Sequence, residues 1–288
     1  MRFSFQAIGR LSMDIVLLFK SLIMGMVEGI TEFLPISSTG HLILTGDLLN
    51  FMSKEKRDVY EIFIQLGAML AVVWEYRAKL VSTLTGAVKP GGERNLLLAV
   101  VIAFIPAAIL GLLFSKVIKA HLFQPVPVAM AFIVGGLIIL WAEKRQVNKV
   151  ALIETVDDLS LKDALKVGLC QCLALIPGTS RSGATIIGGM FLGISRKAAT
   201  EFSFFLGIPT LGAASIYSLL KHRHELDIGD SGVFAVGFIA SFIFAFIAIR
   251  ALIKFVSTHT FVGFAYYRIA FGLIVLATAY SGMVSWTV

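Results

Sequence analysis

Hydrophobic positions along this chain run in long blocks instead of alternating or recurring at amphipathic spacing. Residues 96–114, 126–142, 202–220 and 233–249 hold no charged side chain, 60–74 holds only Glu61, and 261–280 only Arg268. A helix needs roughly 20 mainly apolar residues to cross a bilayer. The blocks therefore predict six transmembrane helices, at about 60–76, 96–114, 126–142, 202–220, 233–252 and 261–280. Two further segments, 15–34 and 161–176, are interrupted by charges and followed by Pro35 and Pro177, with short apolar returns at 41–51 and 184–194. Backbone that breaks at membrane depth is tolerated only where protein or water covers it. Each segment with its return, 15–51 and 161–194, thus predicts a re-entrant helical hairpin.

The pattern repeats. "EGITEFLPISSTGH" (28–41) has a counterpart in "QCLALIPGTSRSGAT" (171–185), with a one-residue gap near the proline. "EIFIQLG" (61–67) lies over "EFSFFLG" (201–207), and "GLIIL" (136–140) over "GLIVL" (272–276). The offsets fall between 136 and 143, in one order. Three crossings per half is an odd number, so the second half starts from the opposite side of the membrane. The fold class that follows is an all-α integral membrane protein. It has six transmembrane helices plus two re-entrant helical hairpins in an inverted-topology repeat. Residues 1–12 read as an N-terminal extension, 13–145 as the first repeat and 146–288 as the second.

Composition agrees, with 57% hydrophobic and 15% charged residues and a mean hydropathy of +0.87. Soluble domains carry about 25% charged residues. The formal charge of +7 does not point to nucleic acid, because the basic residues sit in the segments between spans. Leaving out Arg181 and Arg268, 13 of the 25 Lys and Arg fall on one side and 10 on the other. The richer side holds 77–94, 144–166, 196–197 and 250–254. The positive-inside tendency makes that side cytoplasmic, so the first hairpin enters from outside. Cys170 and Cys172 read as small apolar fillers, and His121, His222, His224 and His259 fall in connecting segments with no role assigned.

The two tips carry the chemistry. In each hairpin a Ser or Thr can cap the returning half-helix, whose N-terminus presents free N–H groups and the positive end of the dipole. Such a terminus is an anion site. Arg181, between Ser180 and Ser182 and ahead of Thr185, can fork onto phosphate oxygens there. At the first tip Glu28 and Glu32, four residues apart, share a helical face. They can hold a hard divalent cation, or divide into an ionised and a protonated partner. Ser37, Ser38 and Thr39 offer hydroxyls, and His41 follows Ser38 by one turn, as an activating base would. A charge inside a span costs ~2.5–3.5 kcal/mol or more, which argues that Glu28, Glu32 and Arg181 are functional. Gln65, Gln171 and Glu201 are cavity-lining candidates, and helix–helix hydrogen bonding explains Gln65 and Glu201 equally well. Arg268 could snorkel or pair with a carboxylate, and a structural role is favoured.

"EGITEFLPISSTGH" together with "PGTSRSGAT" closely resembles the two signature regions of the undecaprenyl-diphosphate phosphatase family, also called the bacitracin-resistance proteins. The resemblance extends over nearly the whole chain beyond residues 1–12. It implies a multi-pass enzyme of the bacterial plasma membrane whose active site opens to the periplasmic side. Its substrate would be a polyprenyl diphosphate lipid, undecaprenyl diphosphate, cut to undecaprenyl phosphate and inorganic phosphate. That reaction recycles the carrier for peptidoglycan synthesis and confers bacitracin resistance. The resemblance also implies Glu28 and Glu32 as the glutamate-rich motif, Ser38 and His41 as hydroxyl and imidazole, and Arg181 as phosphate ligand. A divalent cation, magnesium or calcium, is implied as cofactor. The nucleophile (Ser38, His41 or water) stays open, as does a homodimer. The rival reading is a transporter or flippase of a lipid phosphate or another phosphate-bearing anion, because broken helices meeting at the midplane also build transporters.

Overall fold

The structure, a computed structural model, describes residues 2–88, 91–146, 150–221 and 228–284, with side chains from residue 15 onward apart from those of Lys119 and Ile228. His222 and His224 lie outside the described residues, as do Lys89, Lys149 and Arg223, which entered the charge count. The first half contributes α1 (Arg2–Thr31), α2 (Ser38–Leu48), α3 (Lys54–Glu75), α4 (Arg77–Gly86), α5 (Gly92–Leu122) and α6 (Pro125–Gln146). The second contributes α7 (Leu161–Gln171), α8 (Arg181–Phe191), α9 (Arg196–Lys221), α10 (Ser231–Val256) and α11 (Val262–Tyr280).

The protein is all-helical and multi-pass. By length and composition α5, α6, α9, α10 and α11 are long and apolar enough to cross a membrane. The bent pair α3–α4, with 74° between its arms, makes a sixth if it is one span. Each of the six expected blocks falls on one of these. Their outward faces are apolar: Leu112 and Leu113 of α5, Ile243 and Ile247 of α10 and Leu273 of α11 are exposed, as lipid contact requires. The sequence pattern did not anticipate α4, a short helix after Tyr76.

Both interrupted segments stop earlier than the pattern suggested. The first helix ends at Thr31 and not at Leu34. Pro35 has no N–H to return to the Thr31 carbonyl, its ring clashes with that carbonyl, and it disfavours a helical Leu34. In the second, α7 ends at Gln171 and a 3₁₀ turn carries the chain through Cys172–Leu175. The returns α2 and α8 are both 11 residues long, and their first residues, Ser38 and Arg181, stand 143 positions apart. Each is preceded by a serine in the left-handed region, Ser37 at φ 67° and Ser180 at φ 72°. That conformation costs a non-glycine residue ~1–2 kcal/mol, so the surroundings must hold it. The Ser180 hydroxyl caps α8 by accepting from Gly183 N at 3.0 Å, whereas the Ser37 hydroxyl makes no cap bond.

Packing between the halves is reciprocal. The first interrupted helix, α1, lies along α10, and its counterpart α7 lies along α5; α3 likewise packs on α10 and α9 on α5. Gly25 of α1 abuts the Gly237 carbonyl of α10, and Gly168 of α7, 143 positions on, abuts the Ala103 carbonyl of α5. Small residues at such crossings let backbones approach and gain dispersion contact, the main attraction available between helices in lipid. In the α6–α11 pair, Gly136 faces the Ala265 carbonyl while Gly272 faces that of Ala129.

Arg268 of α11 closes the arrangement. Its side chain is buried and neither snorkels nor meets a carboxylate. It donates to the carbonyls of Pro35 at 3.0 Å and Gly178 at 2.9 Å, one from each interrupted segment, and to Ala131 and Phe132 of α6 at 3.0 and 3.4 Å. Arg268→Met keeps the apolar stem but strands the Pro35 and Gly178 carbonyls, the Ala131 and Phe132 carbonyls keeping their bonds within α6, and each buried unsatisfied group costs ~1–3 kcal/mol. The variant is expected to lose at least about 2 kcal/mol of stability, read as a lowered unfolding temperature in detergent. Unfolding at the parental temperature would show that the clamp is dispensable.

Candidate active site

The loop 32–37 and the loop before α8 meet through their own polar groups. Leu34, just ahead of Pro35, offers its carbonyl to the hydroxyl of Ser182 at 2.7 Å and of Ser180 at 3.4 Å. Across this junction Arg181 reaches Glu32, Nη2 to Oε1 at 3.1 Å. The other oxygen of Glu32 accepts the hydroxyl of Ser38 at 2.6 Å. The chain Arg181–Glu32–Ser38 is thus continuous, with Glu32 and Ser38 buried and the Arg181 side chain 9% exposed, and it has one end on each interrupted segment.

Arg181 is held on its far side as well. Nη1 donates to Ser203 O at 2.8 Å and lies 3.2 Å from Ser203 Oγ. The guanidinium carbon sits 5.6 Å from the Phe33 ring centre. Gly207 leaves room for it, since a Cβ there would stand 3.0 Å from Nη1. Arg181 Nε has no hydrogen-bond partner. Thr185 supports this from behind, its hydroxyl 2.8 Å from Ser203 Oγ and 3.0 Å from the Arg181 carbonyl.

A cavity of about 210 Å³ opens beside this chain. Glu32, Ser37, Ser38, Thr39, Gln65, Gln171, Ser180 and Arg181 line it, with Thr210 and Pro177. A second space of about 190 Å³ shares Ser38, Thr39 and Gln65 and continues past Glu61 and Asp58 to Phe123, giving a path toward the α3 N-terminus. Of the residues singled out from sequence, Glu28, His41, Ser182, Thr185 and Glu201 do not line the site cavity. Ser182 is spent on Leu34 and Thr185 on Arg181, while Glu201 lies among the charges of Lys197, Lys79 and Asp157.

His41 is near Ser38 in sequence but not joined to it. Nδ1 lies 2.7 Å from the Ser37 carbonyl and Nε2 2.6 Å from the Tyr267 hydroxyl. A carbonyl only accepts, so Nδ1 carries the proton and Nε2 takes the hydrogen of Tyr267. The ring stacks on Phe271 with centroids 4.0 Å apart. His41 therefore holds the carbonyl of the left-handed Ser37, and the Ser38 hydroxyl faces Glu32. Tyr267, Ser203 and Thr210 escaped the sequence reading. A "YYR" within a span and a serine and threonine flanking the "FFLG" at 204–207 were the available signals.

Glu28 is different again. It is fully buried, and neither carboxylate oxygen has a hydrogen-bond partner, though the charges of Glu32, Glu61 and Arg181 are all near. A buried ionised carboxylate is costly unless paired, so these oxygens suit a cation. Among the described residues no three of His, Cys, Asp and Glu gather around one point. A hard cation here would complete its shell with substrate oxygens and water, as magnesium does at sites with one or two carboxylates. The donor set fits on those terms.

The sequence itself has close relatives. It is 81% identical over 271 residues, 94% of this chain and 100% of the other, to undecaprenyl-diphosphatase 1 of Chromobacterium violaceum. It is 62% identical to undecaprenyl-diphosphatase 2 of Rhodospirillum rubrum and 61% to the undecaprenyl-diphosphatase of Cellvibrio japonicus, covering 96% of this chain and 100% of each relative. A family profile described as bacitracin resistance protein BacA matches residues 21–274, a range that takes in both proline breaks and every side chain of the cavity. The chain belongs to the BacA family of bacitracin resistance proteins.

Proposed function

We propose that this protein is an undecaprenyl-diphosphatase, hydrolysing undecaprenyl diphosphate to undecaprenyl phosphate and inorganic phosphate. The reaction recycles the lipid carrier of cell-wall synthesis and underlies bacitracin resistance. The observation that carries the reading is the buried chain Arg181–Glu32–Ser38 on the wall of a cavity. A serine hydroxyl bonded to a carboxylate, itself oriented by an arginine, is a nucleophile–base–orienter set. A transporter of phosphate-bearing anions would need the arginine but not the hydroxyl bonded to a base.

The chemistry follows from the contacts. The diphosphate enters with its terminal phosphoryl group against Arg181 and the N-termini of α2 and α8, where N–H groups and positive dipole ends stabilise its oxygens. Ser38 Oγ bonds to the terminal phosphorus as its proton passes to Glu32. The bond to the bridging oxygen breaks, and undecaprenyl phosphate leaves with the electron pair. Water then cleaves the phosphoserine, Glu32 returning the proton to Ser38 as inorganic phosphate departs. Glu28 and Glu32 would hold magnesium or calcium together with diphosphate oxygens, the cation neutralising charge that builds on the leaving group. His41 supplies no proton in this scheme; it keeps Ser37 in its left-handed turn, with Tyr267 fixing the ring.

The reading extends to the arrangement in the bacterial plasma membrane. The interrupted segments form re-entrant hairpins in an inverted-topology repeat. Support comes from the left-handed serines 143 positions apart and from the reciprocal packing of α1 on α10 and α7 on α5. With 13 basic residues on one side against 10 on the other, the first hairpin and the cavity mouth at the α3 N-terminus face the periplasm.

Purified protein in detergent is expected to release phosphate from undecaprenyl diphosphate. Ser38→Ala and Arg181→Ala should each lower the rate by about 10²-fold or more, and parental rates in both would sink the assignment. Chelator should stop the reaction, magnesium or calcium should restore it, and Glu28→Gln should raise the cation concentration required. Full activity in chelator would remove the metal from the scheme. His41→Asn places an amide N–H where Nδ1–H was, so it should retain activity within about tenfold while His41→Ala loses about 10²-fold. If the two variants are equally impaired, and the low-pH limb of the parental rate profile vanishes in both, His41 is the base.

A further inference from the structure

Gln171 ends α7 and stands 143 positions after Glu28, so the second half carries a neutral amide where the first carries a carboxylate. It is 1% exposed and lines the same cavity as Arg181 and Ser38. Its Oε1 lies 3.3 Å from the Thr210 hydroxyl, while Nε2 has no partner. Arg181 Nε, on the same wall, has none either. Two buried nitrogens with three N–H bonds between them thus belong to residues that line one cavity, and neither has an acceptor. A buried donor left unpaired carries its full desolvation penalty, more than a made hydrogen bond gains, so the ligand matched to these residues is rich in acceptor oxygens and anionic.

The cavity is too large for one phosphoryl group alone. A water needs ~10–15 Å³ on the same measure, and about 210 Å³ is present. Ser38 and Arg181 fix where the reacting phosphoryl group lies, which leaves Gln171 and Thr210 beside its neighbour. We propose that Gln171 Nε2 donates to the non-reacting, lipid-bearing phosphoryl group, making Gln171 the residue that selects a diphosphate over a monophosphate. The inference rests on reading the cavity as a diphosphate site. A carboxylate here, as at Glu28, would offer only acceptors and repel that group; the amide offers N–H bonds without adding charge.

The test uses the full-length protein in detergent and two probes, methylenediphosphonate, which cannot be hydrolysed at its bridge, and orthophosphate. Binding is measured by calorimetry for the parent, Gln171→Met and the isosteric Gln171→Glu. The parent should prefer the diphosphonate. Each variant should lose about ten- to a hundredfold of that affinity while orthophosphate binding stays within about twofold. Because Glu and Gln share a shape, Gln171→Glu serves where Gln171→Met does not fold. Unchanged diphosphonate affinity in the folded variants overturns the proposal. So does parental or tighter binding in Gln171→Glu, which would mean that the side chain presents its oxygen to the ligand. A parent that binds diphosphonate with this Gln171 dependence yet releases no phosphate from undecaprenyl diphosphate would sink the enzyme reading and leave the inference standing. A parent that binds neither probe sinks both.

Discussion

The guanidinium of Arg268 is the interaction on which the site depends. Two stretches of backbone stop being helical in the interior of a membrane protein, and their carbonyls cannot be left bare where no water reaches. One planar, permanently charged group with five donors takes a carbonyl from each, Pro35 and Gly178, together with two from α6. The same contact that satisfies the broken backbone therefore sets the distance between the segments. Glu32 and Arg181 pair across that junction, beside the bonds from Ser182 and Ser180 to the Leu34 carbonyl.

Repetition of the backbone and divergence of the side chains do different jobs. Both halves supply an 11-residue return helix behind a left-handed serine, so each offers a rigid N-terminus. On that common frame the first half mounts Glu28, Glu32 and Ser38, and the second mounts Gln171 and Arg181. The cavity is acidic and nucleophilic on one wall and donor-rich on the other. A symmetric pair of either wall would repel its ligand or fail to activate a hydroxyl.

Much of this was legible in the sequence. Charge-free apolar blocks gave the spans because lipid admits few alternatives, and prolines after charged, interrupted segments marked the breaks. Glu28, Glu32, Ser38 and Arg181 stand out in the sequence because charge and hydroxyls are out of place there, and the structure brings Arg181, Glu32 and Ser38 together. What was lost is what spacing cannot encode. Glu28 and Glu32 are four apart, yet the helix ends at Thr31 and Glu32 turns to Arg181 and Ser38, while Glu28, close by, has no hydrogen-bond partner. Ser38 and His41 sit one turn apart, but the imidazole bonds back to Ser37 and out to Tyr267, 226 positions away. The partners of Arg268 are backbone carbonyls, which every residue has, so no side-chain pattern announces them. The short helix α4 carries no long apolar run and was missed.

The crossed packing of α1 with α10 and α7 with α5 bears on how the molecule is made. A ribosome delivers the first half to the membrane well before the second. Until α10 arrives, the glycine face of α1 has no groove to enter, and the backbone break at Pro35 has no Arg268 to cover it. The contacts that complete the first half thus come from α10 and α11, helices made after it, and any change in α11 that removes Arg268 reaches the backbone break at Pro35.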